Sequence, residues 1–388
     1  MVPAEKASNN EESKNQRRAP APHPPSDQRQ SMDMTALRTG ALPASATRPD
    51  RLALGPCPFR VADASREDLR AGLDAHVLAC LHYGREARTD TDPRSVPIPL
   101  ERLDDAGVAE LWISDEPVHT GESEGIRYAA NRSVLFGWLH LDEAELATME
   151  RSVLRAYVRI EQLINHLAYP HWLRAWNYLA HINQGSGDDE RYRRFSLGRY
   201  NATALKSGFE RELPAATAIG TYGEGLTMCF LVGRRRADQV ENPRQVSAFR
   251  YPRQYGLRSP SFSRAMLQHW RDSSVLFVSG TASVVGHASL HSGDASRQFD
   301  ETLTNVEALL ENAAGLSGLP RDGFVPEAFK LYVRSPEYFA EVADAARERL
   351  MERGPVAVLQ GDICRTDLAL EVEAVYRWQD AAPAVVPR

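Results

Sequence analysis

Apolar and polar positions along the chain fall into runs that predict strands and helices in turn. "AELWIS" and "IRYAANRSVLFGWLHL" read as strands. From Asp142 to Leu167 the apolar residues Leu146, Met149, Val153, Tyr157, Ile160, Ile164 and Leu167 step by three or four, which predicts a helix with one buried stripe. Asp142 is placed to cap its start, and Pro170 lies just past its end. A strand over "AWNYLAHI", a helical stretch near 188–207, and strands over "TAIGTYG" and "LTMCFLVG" complete a first half.

The second half repeats that order. "SSVLFVSGTASVVGHASL" is strand-like, and Phe299, Leu303, Val306 and Leu310 predict a helix over 295–314. The strand "FKLYVR", a helix over "PEYFAEVADAARERLMER", and the strands "VAVLQGD" and "LALEVEAVYRW" follow. The shared order is strands, helix, strand, helix, two strands. Duplication of one unit accounts for it, and recurrence of a common α/β pattern is the alternative. The expected architecture is an α/β (α+β) body of two lobes, 51–240 and 241–388, with mixed sheets each packed against helices. Residues 1–50 contain no Phe, Trp or Tyr, and Pro20, Pro22, Pro24 and Pro25 crowd one short stretch. This segment is expected to be a disordered leader, because it cannot bury enough apolar surface to offset the entropy of ordering. It lacks the continuous apolar region of a secretory signal, and Met32 and Met34 offer later starts.

Composition narrows the function classes. The 388 residues include 46 Lys and Arg against 52 Asp and Glu, a formal charge of −6. That balance argues against a broad basic face for nucleic acid. No apolar run reaches the roughly 18 residues of a membrane span. Cys57, Cys80, Cys229 and Cys364 are far apart, with no CxxC pair to suggest a zinc ribbon or a disulfide scaffold. A cytoplasmic enzyme fits these limits.

The last strand carries the first candidate chemistry. In "DLALEVEAVY" the residues Leu368, Leu370, Val372, Ala374 and Tyr376 share one face, while Glu371 and Glu373 share the other, about 7 Å apart. An edge strand with solvated or ion-paired carboxylates explains this pattern. A covered face would instead desolvate a glutamate and keep it protonated, fit to act as a general acid. Arg199 in "SLGRYNA", Arg258 in "YGLRSPSFSRA" and Arg334 in "KLYVRSP" would suit an anionic substrate, although most arginines are surface residues. "GTYGEG" and "VSGTASVVGH" fit neither the dinucleotide fingerprint nor the phosphate-binding loop, so they read as turns or close backbone approaches. His287 and His291 would lie about 13 Å apart on an extended segment, too far to share one metal ion. Cys364 has no histidine near it in sequence and reads as a pocket or core residue.

Two resemblances bear on these residues. The second half, with "LFVSG", the helix "QFDETLTNVEALL", "KLYVR" and "LEVEAV", resembles the RidA-type (YjgF-like) fold. Most of the chain beyond about residue 55 resembles the chorismatases, through "GRYNA", "GTYGEG", "YGLRSPSFSRA", "FVSGTASVVGHAS" and "DICRTDLALEVEAV". The resemblance implies release of the enolpyruvyl group of chorismate as pyruvate, without metal or organic cofactor. Glu371 matches the acid that protonates the terminal methylene, and Glu373 is then packed or ion-paired. Arg199, Tyr251, Arg258 and Arg334 are implied to hold the dianion. Gly280 and Cys364 match the small pocket residues of members that form 3-hydroxybenzoate. The "DICRTDL" context is most similar to members that also give 4-hydroxybenzoate, for aryl polyene pigment and ubiquinone biosynthesis. RidA-type domains form trimers, so a two-lobed chain is expected to be a monomer that mimics part of one, or a homotrimer.

Overall fold

The computed structural model of the protein describes residues 57–379, apart from 66, 71, 86–90, 105 and 106. The expected leader over 1–50 lies outside the described residues. Five strands come first: β1 (Phe59–Ala64), β2 (Val77–Tyr83), β3 (Ser95–Ile98), β4 (Glu101–Arg102) and β5 (Ala109–Ser114). All but β4 form a four-stranded sheet in the order β1-β5-β2-β3. "AELWIS" is therefore a strand, but it belongs to this separate sheet and not to that of the first lobe. Alternation reports a strand's faces, not the sheet it joins.

The next six strands are β6 (His119–Ser123), β7 (Ile126–Ala130), β8 (Val134–Leu141), β9 (His171–Ala180), β10 (Ala215–Thr221) and β11 (Leu226–Gly233). Helix α1 (Met149–His166) joins β8 to β9, and α2 (Arg191–Thr203) joins β9 to β10. The second set is β12 (Asp238–Val240), β13 (Ala265–His269), β14 (Ser273–Thr281), the short hairpin β15 (Val284–Val285) and β16 (Ala288–Ser289), α3 (Ala295–Ser317), β17 (Phe324–Val333), α4 (Pro336–Ala346), β18 (Val356–Gln360), β19 (Asp362–Ile363) and β20 (Leu370–Gln379). The sheets run β10-β9-β11-β8-β7-β6 and β18-β17-β20-β14-β13-β12. Position for position these are one topology, with a single parallel pair in each, β9 with β10 and β17 with β18. Each gains one further edge strand from elsewhere: β19 pairs with β10, and β4 pairs with β18.

Local chemistry sets the helix ends. Asp142 Oδ1 accepts from the Glu145 amide at 2.7 Å while Glu145 Oε2 accepts from the Asp142 amide at 3.0 Å, a reciprocal cap. A short 3-10 turn over Glu145–Thr148 follows, so α1 proper begins at Met149 rather than near 142. Asp294 caps α3 through the Arg297 amide, and Gly318 closes it with φ 62°, a left-handed turn that favours glycine. Helix α2 is shorter than the predicted 188–207, and α3 runs three residues beyond 314.

Helices α1 and α2 cover the outer face of the first sheet through Met149, Val153, Ile160 and Phe195. Helices α3 and α4 cover the second through Phe299, Val306, Leu310 and Val342. The inner faces of both sheets meet the four-stranded sheet in a central core. There Trp112 lies 5.6 Å from Trp176 of one sheet and 6.5 Å from Phe277 of the other, between ring centroids. No described helix is long and apolar enough to cross a membrane.

Candidate active site

Strand β20 lies between β14 and β17, so both its edges are paired. Leu370, Val372, Ala374 and Tyr376 pack beneath α3 and α4. The opposite face, carrying Glu371 and Glu373, meets β9 and β10 of the other sheet. Two backbone amides stitch β10 to β14 here: Gly280 N–H donates to Thr217 Oγ1 at 3.0 Å, and Ala216 N–H donates to Ser279 Oγ at 2.8 Å. The register of β14 against β20 shifts between Val278 and Thr281, and Gly280 sits in that irregularity beside Glu371.

Glu373 is the centre of a buried ionic cluster. Its carboxylate accepts from Arg174 Nη2 at 2.7 Å, Thr217 Oγ1 at 2.7 Å and Trp176 Nε1 at 2.9 Å. Lys330 Nζ lies 3.0 Å from it and 3.0 Å from Glu110, and Glu110 also accepts from Trp112 Nε1. Burial alone would raise the Glu373 pKa, but Lys330, Arg174 and these hydrogen bonds outweigh it and hold it down to about 2. Of the two expectations for Glu373, packed or ion-paired, the second describes it.

Glu371 has the opposite surroundings. It is 5% exposed, and among the described residues nothing donates a hydrogen bond to its carboxyl. Burial, followed by the repulsion of Glu373, raises its pKa to about 8, against the pull of Arg174 and Arg264. It is thus a neutral carboxylic acid at pH 7. A Cβ at Gly280 would stand 1.7 Å from Glu371 Oε1, so only glycine leaves room for the carboxyl in this position.

The acid opens onto a cavity of about 610 Å³, within the range of small-molecule sites. Arg199, Tyr251, Gly280, Cys364 and Glu371, all expected from the sequence, line it together. Arg199 is 3% exposed, yet its Nε and Nη2 have no partner and it makes no ion pair among the described residues. An uncompensated buried guanidinium is costly unless an anion arrives from outside. Burial pushes the Cys364 thiol up to about 12, followed by the nearby Glu371, so it is a neutral wall rather than a nucleophile.

Two expected arginines do not reach the cavity. Arg258 is exposed, its guanidinium 4.7 Å from the centroid of the Tyr200 ring. Arg334 is taken up by the loop before β20: it pairs with Asp362 at 2.5 Å and donates to the carbonyls of Ile363, Arg365 and Leu368. In their place stand Arg264 and Arg365. Arg264 donates to Tyr251 Oη at 2.6 Å and to the Val246 carbonyl at 2.8 Å, leaving its buried Nε free. Because the Tyr251 oxygen accepts, its own proton is free for a ligand. Arg365 lies 4.0 Å from the centroid of the Tyr255 ring and donates to the His287 carbonyl and Ser289 Oγ, tying three segments of the cavity rim together. Both arginines lie in stretches of recognisable sequence, but only the folded chain sets them beside Glu371. Among the described residues no three His, Cys, Asp or Glu side chains converge as metal ligands.

Known proteins share this arrangement of the chain. Residues 110–232 match the family model described as chorismatase FkbO/Hyg5-like, N-terminal. A chorismatase of Streptomyces rapamycinicus is 37% identical over 70% of this chain and 83% of its own. A 3-hydroxybenzoate synthase of Streptomyces hygroscopicus is 34% identical over 69% of this chain and 81% of its own. A chorismatase crystal structure matches with a TM-score of 0.72 at 30% identity, covering 83% of this chain and 99% of the other. Its length, fold and sequence make this chain an enzyme of the chorismatase family.

Proposed function

We propose that the protein converts chorismate to 3-hydroxybenzoate and pyruvate, with Glu371 as the acid. The observation that carries this reading is the neutral, donor-free carboxyl of Glu371 facing a cavity with the unpaired Arg199 in its wall. Protonating the terminal methylene of an enol ether needs an acid held in its neutral form against a dry wall and aimed at carbon. Transfer of the Glu371 proton to that carbon leaves an oxocarbenium ion on the side chain and a carboxylate on Glu371. A hydroxyl of the substrate captures the ion and gives up its proton. One ring carbon–oxygen bond then breaks with its electron pair moving to that oxygen, and pyruvate leaves as a ketone carrying it, while the other oxygen stays on the ring and takes a proton back. Loss of a ring proton then gives the aromatic product and restores the proton balance. This route takes up no water, whereas hydrolysis to a dihydroxycyclohexadiene carboxylate takes up one.

The substrate is a dianion. Arg199, with Arg264 and Tyr251 beside it, supplies fixed donors for one carboxylate, and Arg365 at the rim is placed for the other. Gly280 and Cys364 keep the wall next to Glu371 small, which favours the aromatising outcome, and a relative of the same family is a 3-hydroxybenzoate synthase. The "DICRTDL" segment supports 4-hydroxybenzoate as a second product, supplied to aryl polyene pigment and ubiquinone biosynthesis. Incubation of the pure protein with chorismate, followed by chromatography, tests the proposal. Equal amounts of pyruvate and hydroxybenzoate are expected. Pyruvate with a non-aromatic diene acid would place the protein in the hydrolytic branch instead.

A further inference from the structure

Glu373 lies outside the cavity and touches no reacting atom, yet its placement is not that of a plain structural ion pair. It shares a strand face with Glu371 two residues away. Lys330 stands opposite Glu373 on β17, and Tyr332 stands opposite Glu371. The donors of the seam turn to Glu373 and Thr217, and although Arg174 Nη1 and Arg264 Nε have no partner, neither donates to Glu371. Thr217 Oγ1 donates its proton to Glu373 and accepts from Gly280 N–H and from Arg174 Nη2. The Gly280 amide, the backbone donor beside the Glu371 carboxyl, is spent on Thr217. Arg174 Nη2 is spent on Thr217 and Glu373. Of the charges in the cluster, Glu373 acts on Glu371 more strongly than the opposing Arg174, and no atom of the cluster donates to the Glu371 carboxyl.

We propose that Glu373 is a positioning residue for the acid: fixed by Arg174, Lys330, Trp176 and Thr217, it draws these donors away from Glu371 and sets an unbridged charge beside it, which holds Glu371 in its acid form. This rests on Glu371 being the acid of the proposed reaction. The other groups that face Glu371 pull both ways. Arg174 of β9 and Arg264 just before β13 favour its ionised form. Cys364 and Tyr192 are both pushed up by burial and stay neutral. Arg199 of α2 stands farther along the same cavity wall.

The role separates from mere packing through charge. In Glu373→Gln the repulsion disappears and Arg174 loses its counter-ion, so both changes favour ionised Glu371. The midpoint at which Glu371 loses its proton should fall by about 1 pH unit or more. It is read from the carboxylic C=O infrared band that vanishes in Glu371→Gln. Turnover of chorismate should change little at pH 6 and fall about fivefold at pH 8, as a one-unit shift requires. Glu373→Asp keeps the charge and should keep the midpoint within a few tenths of a unit. If Glu373→Gln does not fold, Glu373→Gln/Arg174→Gln, which strands neither charge and leaves Lys330 with Glu110, takes its place; its midpoint should fall by less, because the repulsion of Glu373 exceeds the pull of Arg174. An unmoved midpoint in the Gln variants, or an equal fall in Glu373→Asp, overturns the proposal. A wild-type protein that releases no pyruvate while its infrared midpoint shifts as expected would overturn the catalytic reading instead.

Discussion

The cavity and the ionic cluster beneath it are neighbouring buried regions of one sheet seam, and both contain charged side chains. They differ in where the counter-ions are. In the cluster, Arg174, Lys330, Glu373 and Glu110 answer one another within hydrogen-bonding distance. In the cavity wall, Arg199 has no counter-ion and Glu371 no donor among the described residues. In the first every charge has its counter-ion as the chain folds, while the second is completed only by something that enters. A buried charge therefore marks a binding site when its partner is missing, not when it is merely buried.

The sharpest way to break this comparison is at the acid. Glu371→Gln should lower kcat about a thousandfold, while calorimetry shows chorismate still binding, because the amide keeps the shape and loses only the proton. Retained turnover would remove Glu371 from the chemistry. Next in size is the contrast between two cations. Arg199→Met should raise KM about a hundredfold and move the urea-unfolding midpoint little, since it strands no counter-ion among the described residues and gives up only the contact with the Tyr157 ring, 5.3 Å from its guanidinium. Lys330→Met should instead cost about 3–5 kcal/mol of stability, because Glu110 and Glu373 both lose their cation. If Arg199→Met were the less stable of the two, the division between ligand-directed and fold-directed charges would fail. The smallest effect concerns pH. With protonated Glu371 as the proposed acid, kcat/KM should be level below about 8 and fall tenfold per unit above it.

The same pair has opposite linkage to folding. Glu371 has a folded pKa above its ordinary value, so the fold binds its proton more tightly and loses stability as pH rises from the ordinary carboxylate range towards 8. Glu373 has a depressed value, so its contribution is present above the ordinary range and is lost as pH falls towards 2.

Much of this was legible before folding. Alternation in "DLALEVEAVY" set Glu371 and Glu373 on one face, and the stripe in α1 gave that helix its buried side. What alternation could not supply was the identity of the opposing surface. Thr217 and Arg174 come from the other sheet, and nothing in their local sequence marks the crossing with β20. Arg334 shows the limit from the other side. It stands at a strand end and in step with Lys330 and Tyr332, but its guanidinium is captured by Asp362 and three loop carbonyls. Helix and strand periodicity fixes direction, whereas competition among nearby acceptors decides whether a side chain remains available. The repeated strand order of the two large sheets supports duplication of one unit, and the small sheet was hidden because its short strands resemble any others.

The edge strand β19 carries a mechanical consequence. It leaves the sheet of its neighbours β18 and β20 to pair with β10 of the other sheet, Ile219 with Ile363 and Gly220 with Asp362. The glycines at 220 and 361 permit the approach, since a Cβ at Gly220 would meet Asp362 Cβ at 2.6 Å and one at Gly361 would meet Ile219 Cγ2 at 2.7 Å. The next residues, Cys364 and Arg365, line the cavity before the chain returns to β20. One wall of the cavity thus hangs like a hammock between two sheets, moored on one side by a two-residue seam. On the proposed reaction, slackening that mooring would admit water to the reactive ion before the body of the protein came apart, so leakage toward a hydrated product would precede unfolding.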